Sequence, residues 1–436
     1  MKKTAIHLME MMLLAVLLFP QDPSILGNET RSWRLANGVT VIHQHDSSSA
    51  TTVIHIFIRG GKRTEPEGRN GLADLTCRLT MQIQDEGDLR DLMGMGSSLA
   101  FQTQGDFLQI SIEDLSVNIG KSLKIVGGMM STPLINSVRI SSLKDSMSFL
   151  RKMEDDDPAE VSTRTAGNAF FGSGGYGGSV FGSDESMKTI RKKDVTAFHE
   201  KYFTGANMIL SIVSDLDPAG LRPLLDDVFG RFPPGISEKS ADFVCLPPGK
   251  KIHFLKKERV QTHISCAYAL PGTNPKNFLS GLLLETCLGK GINSRLWRLR
   301  EEVNLTYGVH ARVMHMLHAG LLTVYLKTTG DRKEEAVAGL NKIMQAVYEG
   351  GIGEAEWEAT KRYARSDFLR DLESKKMRSY YLGFFEVMGT GYSFLDSLFR
   401  EFASVTRDVF NGYIRRVLSP ENRVEVIVGP DETGLR

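Results

Sequence analysis

The chemistry open to this chain depends first on one short run, Gly71-Leu72-Ala73-Asp74-Leu75-Thr76-Cys77-Arg78. Asp74 and Cys77 are three residues apart, so on a helix they would lie on one face and could both contact one metal ion. Arg78 follows directly, and a guanidinium offers no lone pair and repels a cation. Because a metal site needs several ligands in defined geometry and no third ligand is evident, the run favours ordinary helix-face residues over a metal site.

Histidine pairs elsewhere do not supply the missing ligands. His43-x-His45 and His315-x-x-His318 have spacings that metal ligands use, but neither pair has a carboxylate placed beside it. Histidines on strand faces and in loops are the simpler interpretation of both pairs.

Composition excludes several classes of protein. The 436 residues include 53 Lys and Arg against 52 Asp and Glu, a net charge of +1, so the chain lacks the positive excess of a nucleic-acid binder that works by counterion release. Hydrophobic residues at 41% and charged residues at 24% are ordinary globular values and argue against disorder. The cysteines form no CxxC pair, which excludes a disulfide scaffold and a cysteine-based zinc ribbon: Cys77, Cys245, Cys266 and Cys287.

The N-terminus has the anatomy of a secretory signal. Two lysines precede a nine-residue apolar run, residues 11–19, and polar sequence follows Pro20. Such a run is too short to span a bilayer, which takes about 20 apolar residues. We therefore expect a signal peptide over residues 1–27, a protein exported to the periplasm and no integral membrane span. The alternative interpretation of this segment is a docked or disordered N-terminal helix.

The remaining chain is a duplication. The first half reads as a strand, a helix, a strand, three helices and a strand, at residues 51–61, from 71, 100–112, 121–130, 141–171, 193–202 and 208–213. The second half repeats this order, at residues 261–272, 278–302, 320–327, 336–348, 354–385, 405–417 and 423–428. The pattern predicts an α+β fold of two homologous domains, each an antiparallel-type sheet covered by helices.

The domain boundaries follow from a change in composition. Proline and glycine pairs lie on both sides of a charged stretch, which is typical of a linker. We place an N-terminal domain at residues 28–235, the linker at 236–250 and a C-terminal domain at 251–436.

Several strings of this chain carry a family resemblance. They are the Gly-Gly strand end leading to Gly-Leu-Ala at residues 60–73, the run at 155–158, Phe198-His-Glu-Lys-Tyr-Phe203, and above all Ser294-Arg-Leu-Trp-Arg-Leu-Arg-Glu-Glu-Val-Asn-Leu-Thr-Tyr307. With them the chain resembles the insulinase/pitrilysin-type zinc metallopeptidases and the mitochondrial processing peptidase subunits, including two-domain bacterial members. The resemblance implies the processing-peptidase architecture with LuxS-like domains.

The chain departs from this family where the metal is held. Active members carry His-x-x-Glu-His directly after Gly-Leu-Ala, so that two histidines one helical turn apart hold zinc and the glutamate acts as base on the zinc-bound water. Here Asp74 stands for the first histidine, Cys77 for the glutamate and Arg78 for the second histidine. By residue count, the third-ligand position falls within a few residues of Phe149. We therefore expect no zinc and no other cofactor in this chain.

The second half keeps a pair of residues that binds substrate in the family, although the first half has lost the metal ligands. Arg300 and Tyr307 lie seven residues apart, in the register of an Arg/Tyr pair that faces the zinc in family members and binds the substrate backbone. A guanidinium and a phenol are fixed donors for the oxyanion that develops when an amide is attacked. Standing alone, the same residues would be a solvated helix arginine and a core tyrosine.

Three hypotheses for function result. The first is a non-catalytic subunit of a heterodimeric zinc peptidase, inactive alone, which supplies Arg300 and Tyr307 in trans to a zinc-bearing sister subunit that cleaves peptides. The second is a non-enzymatic peptide-binding or structural core-like protein. The third is an independent enzyme with a new site that uses Cys77 or another nucleophile, where the neighbouring Arg78 would lower the pKa of the Cys77 thiol. The first hypothesis explains why the zinc-binding residues are replaced while the substrate-binding pair, Arg300 and Tyr307, is retained.

Overall fold

The computed structural model describes residues 29–238, 245, 249, 251–257, 261–301, 306 and 308–430. The predicted signal peptide, Tyr307 and most of the predicted linker lie outside these residues. None of the helices in the described ranges combines the length and the apolar character needed to cross a bilayer.

Two mixed sheets contain the strands of the described chain. The six strands of sheet 1 are β1 (Thr30–Arg34), β2 (Thr40–His45), β3 (Thr51–Arg59), β4 (Ser98–Thr103), β5 (Phe107–Leu115) and β6 (Met208–Ser214), in the order β1-β2-β6-β3-β5-β4. The five strands of sheet 2 are β7 (Lys251–Lys256), β8 (Gln261–Pro271), β9 (Gly308–His315), β10 (Ala319–Thr329) and β11 (Val424–Gly429), in the order β7-β11-β8-β10-β9.

Helices fill the connections between these strands. The first half contains α1 (Leu72–Thr80), α2 (Glu86–Met95), α3 (Ile119–Ser131), α4 (Ser137–Asp156), α5 (Pro158–Phe171), α6 (Asp184–Thr189), α7 (Lys192–Tyr202) and α8 (Pro218–Phe229). The second half contains α9 (Pro275–Gly289), α10 (Trp297–Glu301), α11 (Lys333–Gly350), α12 (Glu354–Asp371), α13 (Lys375–Val387), α14 (Phe394–Ser404) and α15 (Arg407–Val417).

The two halves have one topology, and the predicted α+β fold is confirmed. Strand order β2-β6-β3-β5-β4 in sheet 1 corresponds to β7-β11-β8-β10-β9 in sheet 2. In each sheet the first pair, β2 with β6 and β7 with β11, is parallel, and the pairs that follow are antiparallel. Two helices precede each of the β4–β5 and β9–β10 hairpins, and five helices lie between each hairpin and the next strand, β6 or β11. The duplication read from the sequence is therefore a duplication of the fold.

The halves exchange one equivalent helix. Helix α5 of the first half packs on β8, β10 and β11 of sheet 2, while its counterpart α13 packs on β2, β3 and β6 of sheet 1. Gly383 permits the closest approach of α13, because a Cβ at this position would lie 2.2 Å from the ring of Phe57. Each sheet therefore buries one face against a helix supplied by the other half, and the core is continuous between the halves.

Four predicted elements were wrong in their extent. The helix predicted at 278–302 is two separate helices, α9 and α10. The strand predicted at 100–112 is a hairpin, β4 and β5, joined by a turn at 104–106. The helix predicted at 141–171 ends at Asp156, because Asp157 caps a new helix that has Pro158 in its first turn. The helix predicted at 354–385 breaks in the equivalent place, where Ser374 accepts a hydrogen bond from the Met377 amide and begins α13.

Polar contacts fix α13 against sheet 1. Lys375 donates to the carbonyls of Ser49 (2.7 Å) and Thr51 (2.9 Å). One turn further on, Ser379 donates to the carbonyl of Ser211 (2.8 Å), and its Oγ lies 2.9 Å from Nδ1 of His55. The imidazole of His55 is buried by this helix, and burial lowers its pKa to about 3.

The buried histidine predicts an acid-sensitive fold. An unfolded histidine has a pKa near 6.5, so between about pH 6.5 and 3 the unfolded chain takes up a proton that folded His55 refuses. The contribution of His55 to stability is therefore complete above pH 6.5 and is lost as the pH falls toward 3. We expect the pH dependence of the urea midpoint between pH 7 and 4.5 to be shallower for His55→Asn than for the unchanged protein.

Comparing the two proteins isolates this effect. Glu65, whose pKa burial raises to about 8, shifts stability in the opposite direction, but it is present in both proteins. Identical pH slopes would show that His55 does not contribute.

Candidate functional site

Helix α1 begins at a bend that only glycine fits. Gly71 has a left-handed backbone (φ 92°), and a Cβ there would lie 2.9 Å from the backbone of Gly182. The carboxylate of Glu65 accepts hydrogen bonds from the amides of Gly71 (3.0 Å) and Ala73 (2.9 Å). These contacts satisfy exposed amides at the start of the helix and fix the direction of α1.

The three positions that would hold the metal site carry an ion pair and a buried thiol. Nε of Arg78 donates to Oδ2 of Asp74 at 2.5 Å, one helical turn away. The guanidinium also lies over the rings of Phe101 (5.7 Å) and Phe181 (5.4 Å). Asp74 is only 2% exposed, and burial raises its pKa above the ordinary value although Arg78 lowers it. Together these contacts place a fixed cation where a metal ligand would be needed.

Cys77 does not have the environment of a nucleophile. Its side chain is fully buried in the core of the first half, and burial raises the pKa of its thiol far above the usual range. Arg78 acts in the opposite direction, but its effect is smaller. The hypothesis of an independent enzyme built on this thiol therefore finds no support in the geometry.

Thiol labelling tests this conclusion. Cys77, Cys266 and Cys287 are buried and have raised thiol pKa values, whereas Cys245 is partly exposed. We expect an alkylating reagent to modify the native protein at Cys245 only and to reach all four thiols after denaturation, as read by peptide mass spectrometry. Rapid modification of Cys77 in the native protein would return it to the list of candidate nucleophiles.

The residues at the ancestral metal position do not fit zinc. Among the described residues, no three His, Cys, Asp or Glu side chains are grouped to hold a metal ion. Phe149 is 63% exposed, and the carboxylate that faces the interior from the same helix is that of Glu154, five residues on. Glu154 accepts from Nη1 of Arg164 (2.9 Å) and from Oγ of Ser179 (2.5 Å). The part of the chain that the structure describes therefore gives no metal to which a step of a reaction could be assigned.

A cavity of about 560 Å³ lies between the two halves. Its wall from the first half includes the β4–β5 turn, helix α5 and the loop after α5. Its wall from the second half includes strands β9 and β10 and an aromatic group formed by Phe278, Phe368, Tyr380, Tyr381 and Phe384. The cavity wall therefore combines apolar rings on one side with charged groups on both sides.

Most charges in this cavity are already paired. Lys290 lies 3.1 Å from Asp367 and 3.5 Å from Glu285. Within the described residues, Glu160 and Asp371 form no ion pair, and burial together with neighbouring carboxylates raises the pKa of each. The cavity therefore presents one unpaired carboxylate from each half.

A glycine-rich loop is held across the opening between the halves. The hydroxyl of Tyr176 donates to Oδ1 of Asp106 (2.6 Å), and Oδ2 of Asp106 accepts from the Leu317 amide (2.9 Å). Asn168 accepts from the Gly178 amide at 2.6 Å. The side chains of Asp106 and Asn168 therefore fix this loop, residues 172–178, in place.

Of the Arg300/Tyr307 pair predicted to bind substrate, only Arg300 lies within the described residues. Arg300 is exposed on the short helix α10, and its guanidinium lies 4.7 Å from the ring centre of Trp297. Among the described residues, those that line the cavity do not include Arg300. Tyr307 lies outside the described residues. The role of this pair therefore stays a prediction.

The histidine pairs match their simpler interpretation. His43 is buried in sheet 1, and burial lowers its pKa to about 4. His315 lies in the cavity wall beside Phe278, with ring centres 4.7 Å apart, and burial lowers its pKa to about 4. Neither belongs to a metal-binding group among the described residues.

Sequence reasoning missed Glu154, Glu160 and Asp106. Each is a single acidic residue without a motif, and Glu154 lies beside an acidic run that favours a solvated loop. The break before Pro158 was the available signal, because a helix that ends there changes which residues of α4 and α5 face inward.

The fold, with Asp74, Cys77 and Arg78 where metal ligands would lie, resembles a metallopeptidase whose metal-binding residues have been replaced. Comparison with known proteins supports the same class. Residues 189–363 match the family described as Peptidase M16 inactive domain. The chain is 26% identical over 273 residues to an uncharacterized zinc protease of Mycobacterium tuberculosis, and 18% identical over 396 residues to the uncharacterized zinc protease YmxG of Bacillus subtilis. The alignment with the Mycobacterium protein covers 61% of this chain and 62% of that relative's length. The alignment with YmxG covers 90% of this chain and 96% of that relative's length.

The same fold occurs in solved structures. A peptidase M16 inactive domain from Pseudomonas fluorescens superimposes with a TM-score of 0.85 at 19% identity, covering 93% of this chain and 98% of that chain. A protease from Helicobacter pylori superimposes with a TM-score of 0.84 at 17% identity, covering 92% of this chain and 100% of that chain. These comparisons confirm the resemblance to the insulinase-type, or M16, peptidases. The chain is therefore similar to M16 proteins, and among its described residues those at the metal-ligand positions do not fit a metal.

Proposed function

We propose that this chain is the non-catalytic subunit of a two-chain zinc peptidase, exported to the periplasm, and that it supplies Arg300 and Tyr307 in trans to a zinc-bearing sister. The observation that carries the proposal is the combination of a complete M16 fold with the Asp74–Arg78 pair at the metal position. A chain that had lost all function would be under no constraint to keep both halves and the continuous core between them.

The exposure of Arg300 supports a role toward another chain. Within the described residues its guanidinium contacts Trp297 and forms no ion pair, so its hydrogen-bond donors remain available. A donor held on a short helix by an aromatic ring is suited to binding a carbonyl oxygen on a substrate that bridges two subunits.

The expected substrates are short unfolded peptides. A folded protein does not enter a chamber enclosed by two subunits, whereas an extended chain does. In this proposal zinc belongs to the sister subunit, which would carry the His-x-x-Glu-His motif that residues 74–78 lack.

Metal analysis of the purified chain alone gives a direct test. We expect less than about 0.1 equivalent of zinc and no cleavage of an unfolded peptide, because a site with an arginine in a ligand position does not bind a cation. Stoichiometric zinc or peptide cleavage by the isolated chain would overturn the assignment as a non-catalytic subunit.

A peptide-binding protein without any role in cleavage is the alternative. The cavity between the halves favours it, since residues of this chain form its wall and, within the described residues, the carboxylates of Glu160 and Asp371 there have no ion-pair partner. Peptide binding by a complex that contains no zinc-bearing chain would select this alternative.

A further inference from the structure

Among the described residues, only one side of the Arg78 guanidinium forms a hydrogen bond. Its Nε donates to Asp74, but among the described residues no acceptor is bonded to either terminal nitrogen, Nη1 or Nη2. The side chain is 23% exposed, so these terminal nitrogens can reach solvent, while the Asp74 carboxylate lies beneath at 3% exposure. The free edge of the group carries four of its five N–H donors.

Three contacts fix the direction of this free edge. The bond to Asp74 fixes the Nε side, and the rings of Phe101 and Phe181 lie under the guanidinium at 5.7 and 5.4 Å. Cation–π contacts of this kind restrict a flexible side chain to one plane. Arg78 therefore presents a fixed, planar pair of donors, which is the geometry that a carboxylate matches with two parallel hydrogen bonds.

The local charge selects the type of anion. Asp74 and Arg78 together carry no net charge, so a ligand gains from hydrogen bonds more than from long-range attraction. A singly charged carboxylate suits this environment, whereas a phosphate dianion would need more than one unpaired cation.

The neighbouring strand indicates that the carboxylate belongs to a peptide. Strand β4 is the last strand of sheet 1, and within the described residues it pairs with β5 only. Leu99, Phe101 and Thr103 alternate as half-buried residues on the side of β4 that packs against α1. An extended peptide that pairs with the free edge of β4 would run past Arg78.

We propose that the degenerate metal position has become a carboxylate-binding site, in which Arg78 binds the C-terminal carboxylate or an acidic side chain of a peptide lying along β4. This inference rests on the proposed function only in taking a peptide as the ligand. It needs neither the sister subunit nor catalysis.

Binding to the purified full-length chain, without a sister subunit, tests the proposal. Three fluorescent nonapeptides of otherwise neutral sequence are compared by anisotropy: one with a free C-terminus, one amidated, and one amidated with a single internal Glu. We expect the free-acid peptide or the Glu peptide to bind about 10- to 100-fold more tightly than the neutral amidated peptide, the range for hydrogen bonds to charged groups. The tighter of the two identifies the source of the carboxylate. Equal affinities for all three peptides would overturn the proposal.

Variants connect the effect to Arg78. Loss of Arg78 alone would leave Asp74 buried and unpaired, so the informative variant is D74N/R78Q, which replaces the ion pair by a neutral pair of similar size. We expect it to lose the preference for carboxylate while keeping the same thermal midpoint within a few degrees. Arg78→Lys keeps the charge but not the fork and should retain only a small part of the preference.

Arg298→Ala removes an exposed arginine of α10, away from the β4 edge, and serves as the control for the loss of a guanidinium. An undiminished carboxylate preference in a folded D74N/R78Q protein would contradict the assignment to Arg78. Failure to find a sister subunit would leave this binding assay unchanged, so the two proposals fail separately.

Discussion

Replacing Arg300 by alanine is expected to lower the kcat of the assembled two-chain peptidase by about 10²–10³, the usual loss when one oxyanion donor is removed. The physical reason is that a guanidinium hydrogen bond strengthens as negative charge develops on the attacked carbonyl oxygen, so its loss acts on the transition state more than on substrate binding. Tyr307→Phe removes only a hydroxyl and is expected to act in the same direction. Because both donors serve one oxyanion, the double variant should lose less than the product of the two single effects.

Two controls make this result specific. Arg298 is exposed on the same helix as Arg300, and Arg298→Ala should leave kcat unchanged. Loss of the Trp297 contact at an exposed site is worth only about 0.5–1 kcal/mol, so Arg300→Ala should still fold and assemble with the sister. If Arg300→Ala and Tyr307→Phe both leave the activity of the pair intact, the role in trans is wrong.

The second large effect is expected at the contact between α13 and sheet 1. Asp46 and Arg378, 332 residues apart, form an ion pair in which both side chains are only 7% exposed. Burial alone would raise the pKa of Asp46, but hydrogen bonds from Ser48 and the Arg378 guanidinium lower it to about 2. Arg378→Met leaves a buried carboxylate without its partner, and we expect the free energy of unfolding to fall by about 3–5 kcal/mol.

The matched comparison uses apolar replacement of both partners. D46L/R378M removes the two buried charges together and should recover much of the stability lost by the single variant. Arg231→Met breaks an exposed ion pair with Asp227 and should change stability by less than about 0.5 kcal/mol. Urea denaturation at pH 7 measures all three. A single variant with the same midpoint as the unchanged protein would show that this buried pair does not hold α13 in place.

Local patterns predicted much of the fold. Strand β3 could be read from its β-branched alternation and its glycine stop, and the order of elements in the second half repeated that of the first. The exchange of α5 and α13 could not be read, because both helices have apolar faces that fit either sheet. Only the assembled chain decides which sheet each covers.

Local sequence patterns also predicted only part of the candidate site. The residues at 74, 77 and 78 could be compared with the metal motif because they lie within one helical turn of one another. Counting residues does not show which side chains of α4 face inward, whereas the structure shows that Glu154 lines the cavity and Phe149 is exposed. The contacts of Arg78 with Phe101 and Phe181 join segments more than 20 and 100 residues away, and no local pattern predicts them.

Affinity purification of the tagged chain from its native host, with mass spectrometry and zinc analysis of the recovered complex, tests the central claim most directly. The proposed function predicts a second chain of similar length that carries His-x-x-Glu-His, with about one zinc per pair and peptidase activity that neither chain has alone. Recovery of the chain by itself, or as a metal-free homodimer, would contradict a role in catalysis and would leave a peptide-binding or scaffolding protein.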